Sequence, residues 1–97
     1  MALLGNPFIA NVPKQFTADE LIQALRVDIT GEYEAIVGYE AHAIASTDAD
    51  AKKVLLHIAD EERRHVGELL QLLYHLCPKE QQYVEEGRAE LNKQLTQ

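Results

Sequence analysis

The stretch AKKVLLHIADEERRHVGELLQLLYHL, residues 51–76, constrains the fold of this chain more than any other. It continues for about seven helical turns with apolar residues at helical spacing and no proline, which is too long for a strand and too regular for a loop. At 100° per residue, Ala51, Leu55, Ile58, Ala59, Val66, Leu69, Leu70, Leu73 and Leu76 share one face. Glu62 falls near the middle of that face and His65 toward its edge. A helix of this length with one apolar stripe must bury the stripe against another element.

The partner lies upstream. TADE opens a helix as a capping box, with Thr17 at the cap and Glu20 three positions on. Periodicity then continues to about Ala45, with Leu21, Ile22, Leu25, Ile29, Ile36 and Ala43 on one face. Glu32 sits near the middle of that face, and Tyr39 two turns later and slightly to one side. STDAD, residues 46–50, interrupts the pattern, and Thr47 with Asp50 can cap the second helix. The expectation is an all-α fold: two helices of nearly 30 residues, each about 40 Å long, joined by a tight turn into an antiparallel hairpin.

The ends are read from their punctuation. Gly5, Pro7 and Pro13 mark residues 1–16 as an extended arm, with Leu3, Leu4, Phe8 and Ile9 free to dock. Residues 17–97 form the hairpin domain with a shorter C-terminal helix. Pro78 stops the second helix or restarts this third one, which carries Val84, Leu91 and Leu95 on one side and is weakened by Gly87. The single cysteine, Cys77, excludes an internal disulfide and a four-cysteine metal site, and reads as a helix-end core residue. A net charge of −7 argues against a nucleic-acid surface and suits cations. Neither a secretory signal nor an apolar run of about 18 residues is present, so no membrane partner and a cytoplasmic location are expected.

Three polar groups in the stripes bear on function. Glu32, Glu62 and His65 lie at matching depths on two helices that pack together. Unpaired carboxylates there would be costly to desolvate. A divalent cation satisfies all three, because carboxylate oxygens and a neutral imidazole are suitable ligands. The bland reading pairs Glu62 with Arg63 or Arg64 of a neighbour and His65 with a backbone carbonyl. His57 and His75 point to the opposite side and should be solvent-exposed; His42 lies at the edge of its face. Asp60, Glu61, Arg63 and Arg64 read as a solvated face.

Di-iron centres in four-helix bundles draw one Glu from each of two helices and a Glu-x-x-His motif from each of the other two; ferritin-like proteins are that rule's own example. This chain has half the set: Glu32 alone, and Glu62-x-x-His65. At 97 residues a monomer is also marginal in the surface it can bury. Two copies about a two-fold axis would complete both the bundle and the ligand set.

Over about residues 20–75 the chain resembles the encapsulated ferritin-like proteins, half-ferritins packaged inside encapsulin shells. The stretch GEYEAIVGYEAHAIASTDADAKKVLLHIADEERRHVGEL carries the resemblance, including the turn ASTD and the DEExxH core. It implies that Glu32, Glu62 and His65 are iron ligands and that Tyr39 lies beside the centre. It also implies a ring-shaped decamer built from dimers, and ferroxidase activity that passes iron to the shell. Relatives often add an acid just before the ligand Glu and a Trp one turn later as an outer entry site. Here Glu34 is kept but Gly31 and Gly38 stand at the other positions, so that site is expected to be weakened. Family members also end in a linker and an apolar shell-targeting peptide, which NKQLTQ lacks; by that pattern the sequence is either shortened or belongs to a protein working outside a shell.

The function expected is therefore oxidation of Fe²⁺ by O₂ or peroxide at a di-iron site between subunits, with manganese also suited to oxygen-rich ligands. Two alternatives remain open: another di-metal redox chemistry, such as a rubrerythrin-like peroxidase or manganese catalase, and a metal-free helical dimerisation module.

Overall fold

The structure is a computed structural model and describes residues 14–97. The glycine, prolines and apolar residues of the expected arm up to Pro13 lie outside the described residues. Three helices run in order: α1 (Ala18–Ala45), α2 (Ala49–Leu76) and α3 (Pro78–Leu95). The first two form the antiparallel hairpin.

The capping box at the start of α1 is complete. The Glu20 amide donates to Thr17 Oγ1 at 3.2 Å, and Glu20 Oε1 accepts from the Thr17 amide at 3.0 Å. Lys14 adds an ion pair to Glu20 at 3.1 Å. At the hairpin turn the cap differs from expectation. Asp48, not Thr47 with Asp50, caps α2, its carboxylate accepting from the Ala51 amide at 2.8 Å. Ser46 explains the shift: its hydroxyl accepts the Asp48 amide at 3.2 Å and fixes a three-residue turn that leaves Asp48 at the cap.

Cys77 is both the C-cap of α2 and the residue before α3, with φ −140° and ψ 77°; Pro78 then occupies the first turn of α3. The proline restricts its predecessor to extended backbone, so α2 must end there. Gly87 does not interrupt α3, which is continuous for 18 residues.

Ala43 near the turn and Ala59, about three turns into α2, are fully buried, and Ile36 and Val66 are buried along the same seam. At the open end Leu25, Ile29, Leu73 and Tyr74 form a cluster that Ile22, Leu69, Leu70 and Val84 flank. Helical periodicity does not place Tyr74 in the core. It lies on the side of α2 where α3 folds back, so a third element buries it rather than the hairpin seam. Of the α3 stripe only Val84 packs; Leu91 and Leu95 are exposed. Arg26 of α1 pairs with Glu80 and ties the first turn of α3 to the hairpin (Nε to Oε1 3.1 Å).

The expected apolar faces are only partly covered. Leu21, Ala51 and Leu76 are exposed in the single chain, and so are Leu72, Val54, Tyr33, Val37 and Ile44. A two-helix layer can cover only one flank of each helix, so apolar residues on the other flanks remain open.

Candidate metal centre

Glu32 and Glu62 do not point into the hairpin core. No polar side chain is buried among the described residues; the two carboxylates lie at the edge of the seam, with side chains 23% and 17% exposed. His65 stands beside them at 50%. All three face the open flank of the hairpin.

The backbone explains the convergence. Glu62 and His65 are three residues apart, so they occupy one face of α2 in adjacent turns. Glu32 reaches them across the seam at mid-helix. His65 Nδ1 lies 3.4 Å from Glu32 Oε2 and 3.4 Å from Glu62 Oε2. One ligand atom from each residue falls within a span of 4.8 Å. Ligands about 2.1 Å from a shared cation sit roughly 3–3.5 Å from each other when adjacent, so the 3.4 Å separations fit one ion with small adjustments. The donor set, two carboxylates and an imidazole, suits a hard or borderline divalent metal. Fewer than four protein ligands from one chain would leave coordination positions open toward the exposed flank.

Within the chain, no such competing pairing forms among the described residues. Arg63 bonds Asp60 at 2.9 Å and also pairs with Glu40 of α1, turning away from Glu62. That charge network holds Arg63⁺ firmly, raising its pKa, first through the Glu40 bond. His57 sits beside Glu61 at 3.4 Å on the solvent side, and His42 and His75 are exposed. Tyr39 is half-buried two turns from Glu32 on the same flank. Glu34 lies about 200° round the helix from Glu32 and does not belong to the three-residue group.

Asp28 is a flank residue that sequence reasoning misses, although it lies one turn before Glu32 on the same side. Partial burial raises its carboxyl above the ordinary 3.8, and no partner satisfies it among the described residues. The signal for it is the alternation of four and three in Leu21, Leu25, Asp28, Glu32, Ala35, Tyr39 and His42, matched on α2 by Ile58, Glu62, His65, Leu69, Leu72 and Leu76. Spacing of that kind marks a helix-packing seam.

Known proteins share the sequence and fold of this chain. The model of a family described as Ubiquinone biosynthesis protein COQ7, itself related to the ferritin-like superfamily, matches residues 19–80. The chain is 41% identical over 91 residues to a Ferritin-like-encapsulin shell fusion protein of Pyrococcus furiosus, covering 94% of this chain and 26% of that one. It is 38% identical over 82 residues to an Encapsulin nanocompartment cargo protein, EncC, of Myxococcus xanthus, covering 84% of this chain and 63% of the relative. It thus spans about a quarter of the first and less than two thirds of the second. The crystal structure of the encapsulated ferritin domain from Pyrococcus furiosus superimposes with a TM-score of 0.81 at 39% identity, covering 91% of this chain and 90% of that one. The all-helical hairpin with its short third helix is a ferritin-like fold, and the chain belongs to the encapsulated ferritin family.

Proposed function

We propose that this chain is a ferroxidase acting as a homodimer, with Fe²⁺ as its substrate and with Glu32, Glu62 and His65 of both copies forming the di-iron site. The observation that carries this reading is the convergence of those three side chains, within 4.8 Å, on a flank left open by the single chain. Tyr39 is assigned a neighbouring role and Glu34 that of a weak outer cation contact.

Charge drives the chemistry. The four carboxylates of two chains favour Fe³⁺ over Fe²⁺, because the ion of higher charge gains more from nearby anions. His65 adds a nitrogen donor, so that the four carboxylates carry the negative charge that offsets the metal ions. Two Fe²⁺ each give up one electron. With dioxygen the balance is 2 Fe²⁺ + O₂ + 2 H⁺ → 2 Fe³⁺ + H₂O₂, and with peroxide 2 Fe²⁺ + H₂O₂ + 2 H⁺ → 2 Fe³⁺ + 2 H₂O. Paired ions deliver both electrons together and avoid a free one-electron product. Manganese suits the same donors.

The function served is iron storage or detoxification. An encapsulin shell in the cytoplasm is the proposed setting, supported by the shell fusion and cargo names of the relatives. Dimers assembled into a decameric ring are proposed from the family. No described helix is long and apolar enough to cross a membrane.

The test is the loss of chelatable Fe²⁺ in air. Glu32→Ala, Glu62→Ala and His65→Ala should each remove most of the rate above the uncatalysed background, Tyr39→Phe less. His57→Ala and His75→Ala should match the parent. Equal damage from His57→Ala and His65→Ala would reject the assigned face.

A further inference from the structure

One charged contact across the hairpin lies outside the candidate metal centre. Among the described residues two ion pairs cross from α1 to α2: His65 with Glu32, and Arg63 with Glu40. Arg63 follows Glu62 directly in sequence, and Glu40 follows Tyr39. The two pairs grip the seam from opposite flanks. At 100° per residue, Glu32 and Glu40 stand about 40° to either side of the buried Ile36. On α2, Glu62 stands about 40° to one side of the buried Val66 and Arg63 about 60° to the other.

The Arg63 guanidinium is held from both helices. Nη2 donates to the Glu40 carboxylate of α1, and Nη1 donates to Asp60 Oδ1 of α2 at 2.9 Å. Asp60 lies one turn before Arg63 on its own helix, so it steadies the head group while the other nitrogen reaches across. A planar fork can serve two carboxylates on two helices at once; an ammonium on a flexible stem fixes no such angle.

The seam between the flanks supplies little of that direction. Ile36, Ala43, Ala59 and Val66 are apolar, and apolar burial is non-directional, so a small roll of α2 against α1 changes it little. The metal ligands tolerate far less. Side-chain atoms lie roughly 5–6 Å from a helix axis, so a roll of about 15° carries the Glu62 carboxylate about 1.4 Å from its place beside Glu32. A working site needs its ligands held to within about 0.5 Å.

We infer that Arg63 is a positioning residue of the metal centre: by bridging Glu40 and Asp60 it fixes the rotation of α2 on α1, and so sets Glu62 and His65 against Glu32. The role rests on the metal-site reading proposed above. It asks little of the pair in net stability, since both side chains are nearly half exposed and such pairs contribute little to folding. The pair sets an angle.

The test is the Zn²⁺ dissociation constant of the full chain, because Zn²⁺ takes the same donors. It is measured by chelator competition at one protein concentration, well below the melting midpoint, with solution mass and helix content checked. There a purely structural loss of stability leaves the constant unmoved, because nearly all chains are folded. Arg63→Ala and Glu40→Gln should each weaken binding about five- to tenfold, since ligands in place only part of the time bind in proportion to that fraction. Arg63→Lys, which keeps the charge without the fork, should fall between the parent and Arg63→Ala. Exchanging the partners, Glu40→Arg with Arg63→Glu, should return to within about threefold of the parent. The visible absorption of bound Co²⁺, which follows ligand geometry, should change in Arg63→Ala and return in the exchanged pair. Single variants that bind Zn²⁺ like the parent, or an exchanged pair no better than Arg63→Glu alone, would overturn the role.

The two readings fail separately. A parent that binds Zn²⁺ with this dependence on Arg63 but oxidises no Fe²⁺ rejects the ferroxidase reading alone. A parent that oxidises Fe²⁺, with Arg63 variants that match it in Zn²⁺ affinity, rejects the positioning role alone. A parent that binds no Zn²⁺ rejects both.

Discussion

Removing one carboxylate from the candidate metal centre should separate metal binding from folding. Glu62→Gln is the sharpest perturbation, because Glu62 is the least exposed of the three groups and contacts His65 directly at 3.4 Å. Gln keeps the shape and removes the charge. Zn²⁺ is the probe, since it takes the same donors and has no redox chemistry. If the parent binds metal between two copies, a concentration several hundred-fold above Kd stabilises the folded dimer by roughly 3–4 kcal/mol. Unfolding two chains of 97 residues releases about 0.4 kcal/mol per kelvin near 60 °C. The parent's midpoint should therefore rise by about 7–10 °C in Zn²⁺ over chelator, at fixed protein concentration. Glu62→Gln should lose most of that shift. In chelator it should melt no lower than the parent, because removing one of several crowded anions from each chain relieves repulsion. Differential scanning calorimetry reads both quantities. A parent midpoint that Zn²⁺ leaves unmoved, under conditions where the protein is folded, refutes the metal centre and returns the hairpin to a metal-free dimerisation module.

Three other outcomes are expected from the fold. Leu73→Ala empties the one large side chain that is almost completely buried among the described residues; it should destabilise by about 2–5 kcal/mol in urea titration, and a change below about 1 kcal/mol would mean the cluster joining the three helices is not the core. Arg26→Ala should raise amide exchange across Pro78–Leu95 with little effect on α1 and α2, since Arg26–Glu80 is the side-chain tie between α1 and α3; as an exposed pair its contribution is about 1 kcal/mol or less. Glu20 has its carboxyl held below the ordinary 4.5 by the Thr17 amide first and Lys14 second. A lowered carboxylate stabilises the fold at pH above its unfolded pKa and loses that contribution as pH falls through the folded one. Glu20→Gln should therefore flatten the loss of stability below about pH 4.5, and an unchanged acid limb would count against the capping box.

The parts of the fold legible in the sequence are those set locally. Thr17 and Glu20 cap α1 because both partners lie within one turn, and the STDAD interruption and Pro78 mark the ends at Ala45 and Leu76. The start of α2 is harder. Thr47, Asp48 and Asp50 are all competent caps, and the choice of Asp48 depends on the Ser46 hydroxyl, a contact that spacing does not reveal. Tyr74 shows a different limit. Its burial comes from the direction in which α3 leaves Cys77, a tertiary fact with no periodic signature. In the candidate site, the meeting of Glu32 with Glu62 and His65 comes from hairpin register, whereas the depth does not. Apolar neighbours along each stripe suggest full burial, yet the flank is open, because half a bundle cannot enclose its own seam.

That openness links assembly to chemistry on the proposed reading. Coupling between two binding events is reciprocal. If a second copy completes the ligand set, metal must tighten the dimer by the factor by which the dimer tightens metal. The exposed apolar residues of the same flank, Leu21, Leu72 and Leu76 toward one end and Val54 toward the other, would then supply the apolar part of the contact while Glu32, Glu62 and His65 sit between them. In the absence of metal the apolar ends favour pairing and the central carboxylates oppose it. Adding a cation removes the opposing term and leaves the favourable one. A site built from two half-sets is thus self-limiting: dilute or metal-starved chains hold the ligands apart, and Fe²⁺ recruits both the partner and the remaining ligands in one step.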